Sequence, residues 1–256
     1  MAIIASWNVN SIRAREGHLK KWLSMNQVDI LGIQETKVQN DDFPLSLISE
    51  LGYDVFFNGQ KSYNGVCTLF KGQAKLLSCH IPDFKDEQKR VLAVEWEGLL
   101  IINIYVPNGS EIGSPKYQYK LSWLEALYAW IEKLNKDFKK IIVLGDFNIA
   151  PEDIDVHDPT LWKNKILCSE KERVFIRKLN LLKITDTFRK LERKNSSFSW
   201  WDYRGGSFRR GHGLRIDLIL ASSGLIDSIT GSFIHKAPRE WEKPSDHAPV
   251  SITLEL

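Results

Sequence analysis

Ten short apolar runs rich in isoleucine, valine and leucine dominate the chain: AIIASW, VDILGIQ, YDVFF, GVCTLF, RVLAVEW, LLIINIYV, KKIIVLG, LRIDLILA, SITGSFI and PVSITLEL. Their length and β-branched content favour strands. Three stretches carry helical spacing instead. Residues 116–138 repeat Leu121, Leu124, Leu127, Tyr128, Ile131 and Leu134 on one stripe, and shorter helices are predicted at 16–25 and at about 170–182. Elsewhere strand follows strand with only a turn between, as across Gly98. Helical crossovers mixed with hairpins predict an α/β fold of two β-sheets packed face to face, with helices outside. No repeat, low-complexity tract or linker divides the sequence, so residues 1–256 read as one domain.

Composition narrows the class. Hydrophobic residues at 43% and charged residues at 26% are globular values, which excludes disorder. No run approaches eighteen apolar residues, so no membrane-spanning helix is expected. The opening MAIIASWNVNSIRAR has no basic residues before its apolar stretch and no small-residue cleavage site after it, so no secretory signal is expected. Cys67, Cys79 and Cys168 are odd in number and widely spaced, which fits neither a disulfide framework nor a CxxC metal site and suggests a reducing cytoplasm. The net charge of +3 says little, but its distribution says more: RGGSFRRGHGLR, residues 204–215, holds four arginines, one histidine and no acid.

What ends the apolar runs is the most informative pattern. IIASWN ends at Asn8, ILGIQE at Glu35, IINIY at Tyr105, and IIVLGDFN at Asp146 and Asn148; LRID reaches Asp217, and KPSDH supplies Asp246 and His247. Any one alone is more often a turn former. Asp217 fits that explanation least, because Ile216 and Leu218 beside it read as buried. Carboxylates in a core are costly unless paired or metal-bound. Several at one end of a sheet would make an oxygen-rich pocket suited to a hard divalent cation.

Eight blocks in order, WNVNSIRAR, QETK, KSYNGV, YVPNG, GDFNIAPEDIDVHDP, FSWWDYR, GLRIDLILAS and PSDHAPV, make the chain resemble the exonuclease III family of apurinic/apyrimidinic endonucleases. That family lies within the wider DNase I-like superfamily of metal-dependent phosphoesterases. The resemblance implies a four-layered α/β sandwich, in agreement with the strand and helix pattern. It also implies Mg²⁺-dependent cleavage of double-stranded DNA 5′ to abasic sites and trimming of 3′ ends, by a cytoplasmic, nucleoid-associated monomer with no membrane partner.

By that resemblance, Glu35 is the principal Mg²⁺ ligand, assisted by Asn8 and Asp246, with Mn²⁺ as a substitute. Asp146 orients or deprotonates the attacking water, and Asn148 bonds the phosphate or that water. Tyr105 and Asn108 donate to the scissile phosphate. His247 contacts a non-bridging oxygen and is oriented through its other ring nitrogen by Asp217. Neighbours on an extended chain point to opposite faces, so Asp246 is not expected to pair with His247. Trp200, Leu214 and Ile216 match an apolar pocket for a flipped-out baseless sugar, although some relatives carry tryptophan where this chain has Leu214. Arg204 matches a position that inserts into the duplex, and Arg13, Tyr63 and Arg90 match DNA-backbone contacts. An alternative within the superfamily, a phosphoesterase for lipid or inositol phosphates, does not require KSYNGV or WWDYRGGSFRR. A binding module without catalysis would lack at least one of Glu35, Asp146, Asp217 and His247, and all four are present.

Overall fold

The computed structural model describes residues 1–191 and 195–255. The strands in chain order are β1 (Ala2–Asn8), β2 (Ile30–Gln34), β3 (Asp54–Asn58), β4 (Val66–Phe70), β5 (Ala74–Ser78), β6 (Val91–Trp96), β7 (Leu99–Tyr105), β8 (Ile141–Asp146), β9 (Ile184–Asp186), β10 (Asp217–Ser222), β11 (Ile229–Ile234) and β12 (Val250–Leu254). The helices are α1 (Glu16–Met25), α2 (Leu45–Glu50), α3 (Pro115–Asp137), α4 (Pro159–Trp162), α5 (Glu170–Leu181), α6 (Thr187–Leu191) and α7 (Ser223–Ile226).

All ten predicted strands form, although LRIDLILA enters its sheet only from Asp217, and Leu256 at the end of the last run lies outside the described residues. Two strands were not legible. β5 is an edge strand with Lys75 and Leu76 both exposed, so it lacks alternation, and β9 is three residues long. The three predicted helices match α1, α3 and α5 within a residue. Local chemistry explains their starts. Ser114 caps α3 by accepting from the Tyr117 N–H, with Pro115 at the first helical position, and Ser169 and Glu172 form a reciprocal capping box on α5.

One sheet runs β11-β12-β1-β2-β4-β3 and the other β5-β6-β7-β8-β10-β9. Only the β1–β2 and β7–β8 pairings are parallel among the described strands; the rest are antiparallel. Both sheets are therefore mixed. Between them lies a core that includes Ile4, Ile30 and Ile252 from the first sheet and Ile101, Ile142, Leu144 and Ile219 from the second. Outside the second sheet, Leu124, Leu127 and Ile131 of α3 and Phe175 and Leu179 of α5 pack on Ile102 and Val143. Outside the first, Leu19, Trp22 and Leu23 of α1 pack on Ala5, Trp7 and Leu31. Helix, sheet, sheet and helix give the four layers. No helix among the described residues is long and apolar enough to cross a membrane.

Two details carry the sheets to the site. Buried Gln34 donates through Nε2 to Asn103 Oδ1 at 2.7 Å and to Ser6 Oγ at 3.0 Å, tying the sheets together one residue before Glu35. Gly145 precedes Asp146 with φ +145°, and a Cβ there would lie 1.9 Å from the Ile104 carbonyl oxygen, so only glycine brings β8 this close to β7.

Candidate active site

Strand register gathers the polar residues that end the apolar runs. Parallel pairing sets Tyr105 of β7 opposite Asp146 of β8, and antiparallel pairing sets Asp146 opposite Asp217 of β10. In the facing sheet, Asn8 lies opposite Gln34, the residue before Glu35. Asn8 spans the two sheets: its Nδ2 donates to Glu35 Oε1 at 2.8 Å and to Asp146 Oδ2 at 2.9 Å. Its Oδ1 accepts the Asn10 N–H at 3.0 Å, which sets the orientation of the amide. Glu35 also receives the Tyr105 hydroxyl at 2.9 Å and the Lys37 ammonium at 2.8 Å.

Asp217, and not the adjacent Asp246, holds His247. His247 Nδ1 lies 3.0 and 2.9 Å from the two Asp217 oxygens, and Nε2 is 3.8 Å from Asp146 Oδ2. The Ser199 hydroxyl accepts the backbone N–H of both Ile216 and Asp217 and so fixes the start of β10. Burial alone would lower the His247 pKa, but Asp217 and then Asp146 outweigh it and hold it above the usual histidine range. For Asp146, burial pushes the carboxyl up against the pull of His247, with Asp217 and Glu35 adding to the rise. Burial also acts to raise Glu35, but Lys37 and the Asn8 amide overcome it and leave that carboxyl below its ordinary value.

Ligand atoms of Glu35, Asp146 and His247 fall within 4.8 Å of one another. A buried carboxylate destabilised by its anionic neighbours, with hard oxygen donors around it, fits a divalent cation. The two other expected ligands each have protein partners. Asn8 presents its amide hydrogens rather than its oxygen to the carboxylates, because the oxygen is needed by the Asn10 N–H. Asp246 is bonded elsewhere: Oδ1 accepts from Asn10 Nδ2 at 2.9 Å and Oδ2 from Trp200 Nε1 at 3.0 Å. Asn10 in turn accepts from Lys37 at 2.5 Å, which links Asp246 to Glu35 indirectly. Non-glycine residues with left-handed backbone cluster here, at Asn10, Ser11, Glu35, Lys37 and Asn148, and such strain concentrates where function requires a set geometry.

Asn148 is used up internally. Its Nδ2 donates to the Val106 carbonyl at 3.0 Å and to Asp146 Oδ2 at 3.3 Å, its N–H donates to Asp146 Oδ1 at 2.9 Å, and its Oδ1 accepts from Asn108 at 3.1 Å. It orients Asp146 here rather than offering a free donor to phosphate. Arg90 is largely buried and stacks its guanidinium 4.5 Å from the Tyr105 ring centroid while donating to the Tyr105 carbonyl at 3.1 Å. With exposed Tyr63, Asn108 and Lys116 it lines a cleft of about 400 Å³ beside the site.

Trp200 pairs with Leu214 and His247 through isolated bridges, and its ring centroid lies 6.5 Å from that of His247. Leu214 and Ile216 are fully buried in a small core with Val156 and Leu167, so they underlie Trp200 rather than form an open wall. The expected three-residue apolar pocket is thus reduced to Trp200 at the surface. Arg204 is exposed and folded onto Asp202, with Nη2 2.7 Å from Oδ2. Arg13 is engaged outside this cluster, donating to the Asp42 carbonyl at 2.7 Å.

Some neighbouring residues give little or no signal in the sequence. Lys37 stands in the QETK block, where its charge beside Glu35 was the available signal. Ser199 gives no local signal. Arg215, in the basic run, is buried and paired with Asp155 and Asp186.

The sequence profile of the endonuclease/exonuclease/phosphatase family matches residues 5–247. Exodeoxyribonuclease III of Haemophilus influenzae is 37% identical over 258 residues, covering 96% of this chain and 97% of that protein. Among solved structures, a 3′ phosphatase from Neisseria bound to product DNA hairpin superposes with a TM-score of 0.95 at 37% identity, covering 100% of both chains. An AP endonuclease from Archaeoglobus fulgidus gives the same TM-score, identity and coverage. Because these similarities run over nearly the whole length, the chain belongs to the endonuclease/exonuclease/phosphatase family and, within it, to the exonuclease III group.

Proposed function

We propose that the chain is a divalent-cation-dependent DNA-repair phosphodiesterase. It hydrolyses the backbone 5′ to abasic sites and removes nucleotides or blocking groups from 3′ ends. Mg²⁺ is the proposed ion, with Mn²⁺ able to replace it. The observation that carries this reading is the buried line Asp217–His247–Asp146 facing Glu35, in a chain 37% identical to an exodeoxyribonuclease III.

A contact supports each proposed role. Asp217 accepts a hydrogen bond from the His247 Nδ1–H and its charge keeps the ring cationic, so Nε2–H is available to a non-bridging phosphate oxygen. Asp146, held by Asn8 and Asn148, orients the attacking water and takes its proton. Asn108 gives one amide hydrogen to Asn148 and its other hydrogen serves the phosphate, while the Tyr105 hydroxyl, whose single hydrogen goes to Glu35, orients that carboxylate beside it. Glu35 and Asp146 would hold the cation, which when bound neutralises charge on the phosphate and the leaving oxygen.

The test offers the purified protein a duplex with one internal abasic site, a duplex with a recessed 3′ end and a phosphoinositide, each with Mg²⁺ and with EDTA. Cleavage of both duplexes, abolished by EDTA, is expected. Turnover of the phosphoinositide alone would establish the lipid-phosphate alternative instead.

A further inference from the structure

Helix α3 carries Lys120 on its buried stripe, between Tyr117 and Leu124, and the side chain has no solvent exposure. A lysine is almost never fully buried unless it is paired. Its Nζ donates to the Glu172 carboxylate on α5, to the Asn148 carbonyl at 2.7 Å and to the Asn108 carbonyl at 3.2 Å. Those bonds use all three ammonium hydrogens. Glu172 is fixed in turn: its Oε2 accepts from the Ser169 N–H at 2.9 Å and the Ser169 hydroxyl at 2.6 Å, and its Oε1 accepts the Leu167 N–H at 3.1 Å.

The two carbonyls are those of the residues whose side chains bond each other, Asn108 to Asn148 at 3.1 Å. One of these asparagines follows β7 and the other follows β8. The amide pair and the Lys120 ammonium therefore clamp the same two loops through different atoms. Asn148 passes that placement directly to Asp146, through its N–H and its Nδ2.

We propose that Lys120 is a positioning residue of the phosphodiesterase site, setting the separation of the two loops and hence the placement of the Asn108 amide and the Asp146 carboxylate. This rests on the function proposed above. A methionine pair at 120 and 172 separates positioning from the cost of an unpaired buried charge, because replacing both partners of a buried ion pair costs less than removing one. Methionine cannot bond the two carbonyls, so the loops lose their tether even where the fold is kept.

The experiment measures steady-state incision of an abasic-site duplex by wild type, Lys120→Met, Lys120→Met/Glu172→Met and Lys120→Arg, with thermal midpoints for all. The double variant is expected to regain part of the midpoint lost in Lys120→Met, the remainder going with the Glu172 bonds to Ser169 and Leu167, while kcat stays about 10²-fold low and KM changes little, the scale of loss that a displacement of about 1 Å produces. In an Asn108→Ala background the Lys120→Met effect on kcat should shrink, because both changes act on one element. A double variant with wild-type kcat, or a fully additive effect with Asn108→Ala, overturns the proposal. If the methionine variants do not fold, Lys120→Arg decides: lowered kcat at an unchanged midpoint supports the role, and wild-type kcat removes it. Wild-type protein inactive on every duplex would overturn both the functional reading and this one, whereas active wild type with unaltered variants overturns only this one.

Discussion

His247 lies 2.9 Å from Asp217, thirty positions earlier in the chain, while the adjacent Asp246 bonds Trp200 and Asn10 instead. The separation has a chemical consequence. Asp217 supplies the countercharge that keeps His247 cationic, and no other residue bonds that ring nitrogen among the described residues. Asp217→Asn retains the shape but removes the charge. Incision by this variant should fall about 10²–10³-fold in kcat, the usual cost of losing one charge-stabilising donor. Asp246→Asn places an amide against two donors, so its effect should appear in the Mg²⁺ titration, through Asn10 and Lys37, more than in saturating kcat. Measuring Mg²⁺ curves for both variants checks the division, and superimposable curves would end it.

Glu35 collects three donors at once, from Asn8, Tyr105 and Lys37. Glu35→Gln keeps the size but weakens the hold on a hard cation. The Mg²⁺ concentration for half-maximal incision should rise at least about tenfold, in line with losses measured when metal-site groups are altered. Calorimetric Mg²⁺ binding should weaken in parallel. An unchanged half-saturation point would move the cation away from Glu35.

Most of the candidate cluster was legible because the chain writes its polar residues at strand ends. Parallel and antiparallel register then does the assembly, setting Tyr105, Asp146 and Asp217 in one row. The residues that escaped are those whose role depends on burial instead of sequence position. Lys120 interrupts an apolar helical stripe and reads as a solvated lysine until Glu172 is found against it. Arg215 sits in a basic run that suggests a DNA-facing loop, yet it points into the core between two aspartates. Leu214 and Ile216 read more readily as core than as pocket, and both are buried with Val156 and Leu167. The protein bonds that Asn8 and Asp246 make, to Asn10 and Trp200, are likewise not revealed by spacing along the chain.

Arg215 gives a stability prediction. Its guanidinium is 1% exposed and bonds Asp155 at 2.7 Å and Asp186 at 2.6 Å. Removing the cation leaves two buried carboxylates short of a partner. Arg215→Met should destabilise the fold by about 3 kcal/mol or more, as broken buried pairs do. Urea unfolding followed by far-ultraviolet dichroism measures this. A midpoint equal to wild type would show that Arg189, which also bonds Asp155, suffices alone.

Arg204 is the opposite case: an exposed cation bound in bidentate fashion to Asp202, two residues before it. Solvent screening makes such a pair nearly irrelevant to folding, so Arg204→Ala should leave the thermal midpoint unchanged. Its proposed worth is in DNA binding, where a phosphate would replace Asp202. Each phosphate contact releases counterions, so the slope of log affinity against log salt should fall by about one in Arg204→Ala. Asp202→Asn removes the internal competitor and should tighten binding to an abasic-site duplex at low salt, with the gain lost in the double variant Asp202→Asn/Arg204→Ala. Equal salt slopes for wild type and Arg204→Ala would place Arg204 outside the DNA footprint, and the basic run would then contact phosphate through Arg209 and Arg210, both exposed beside it.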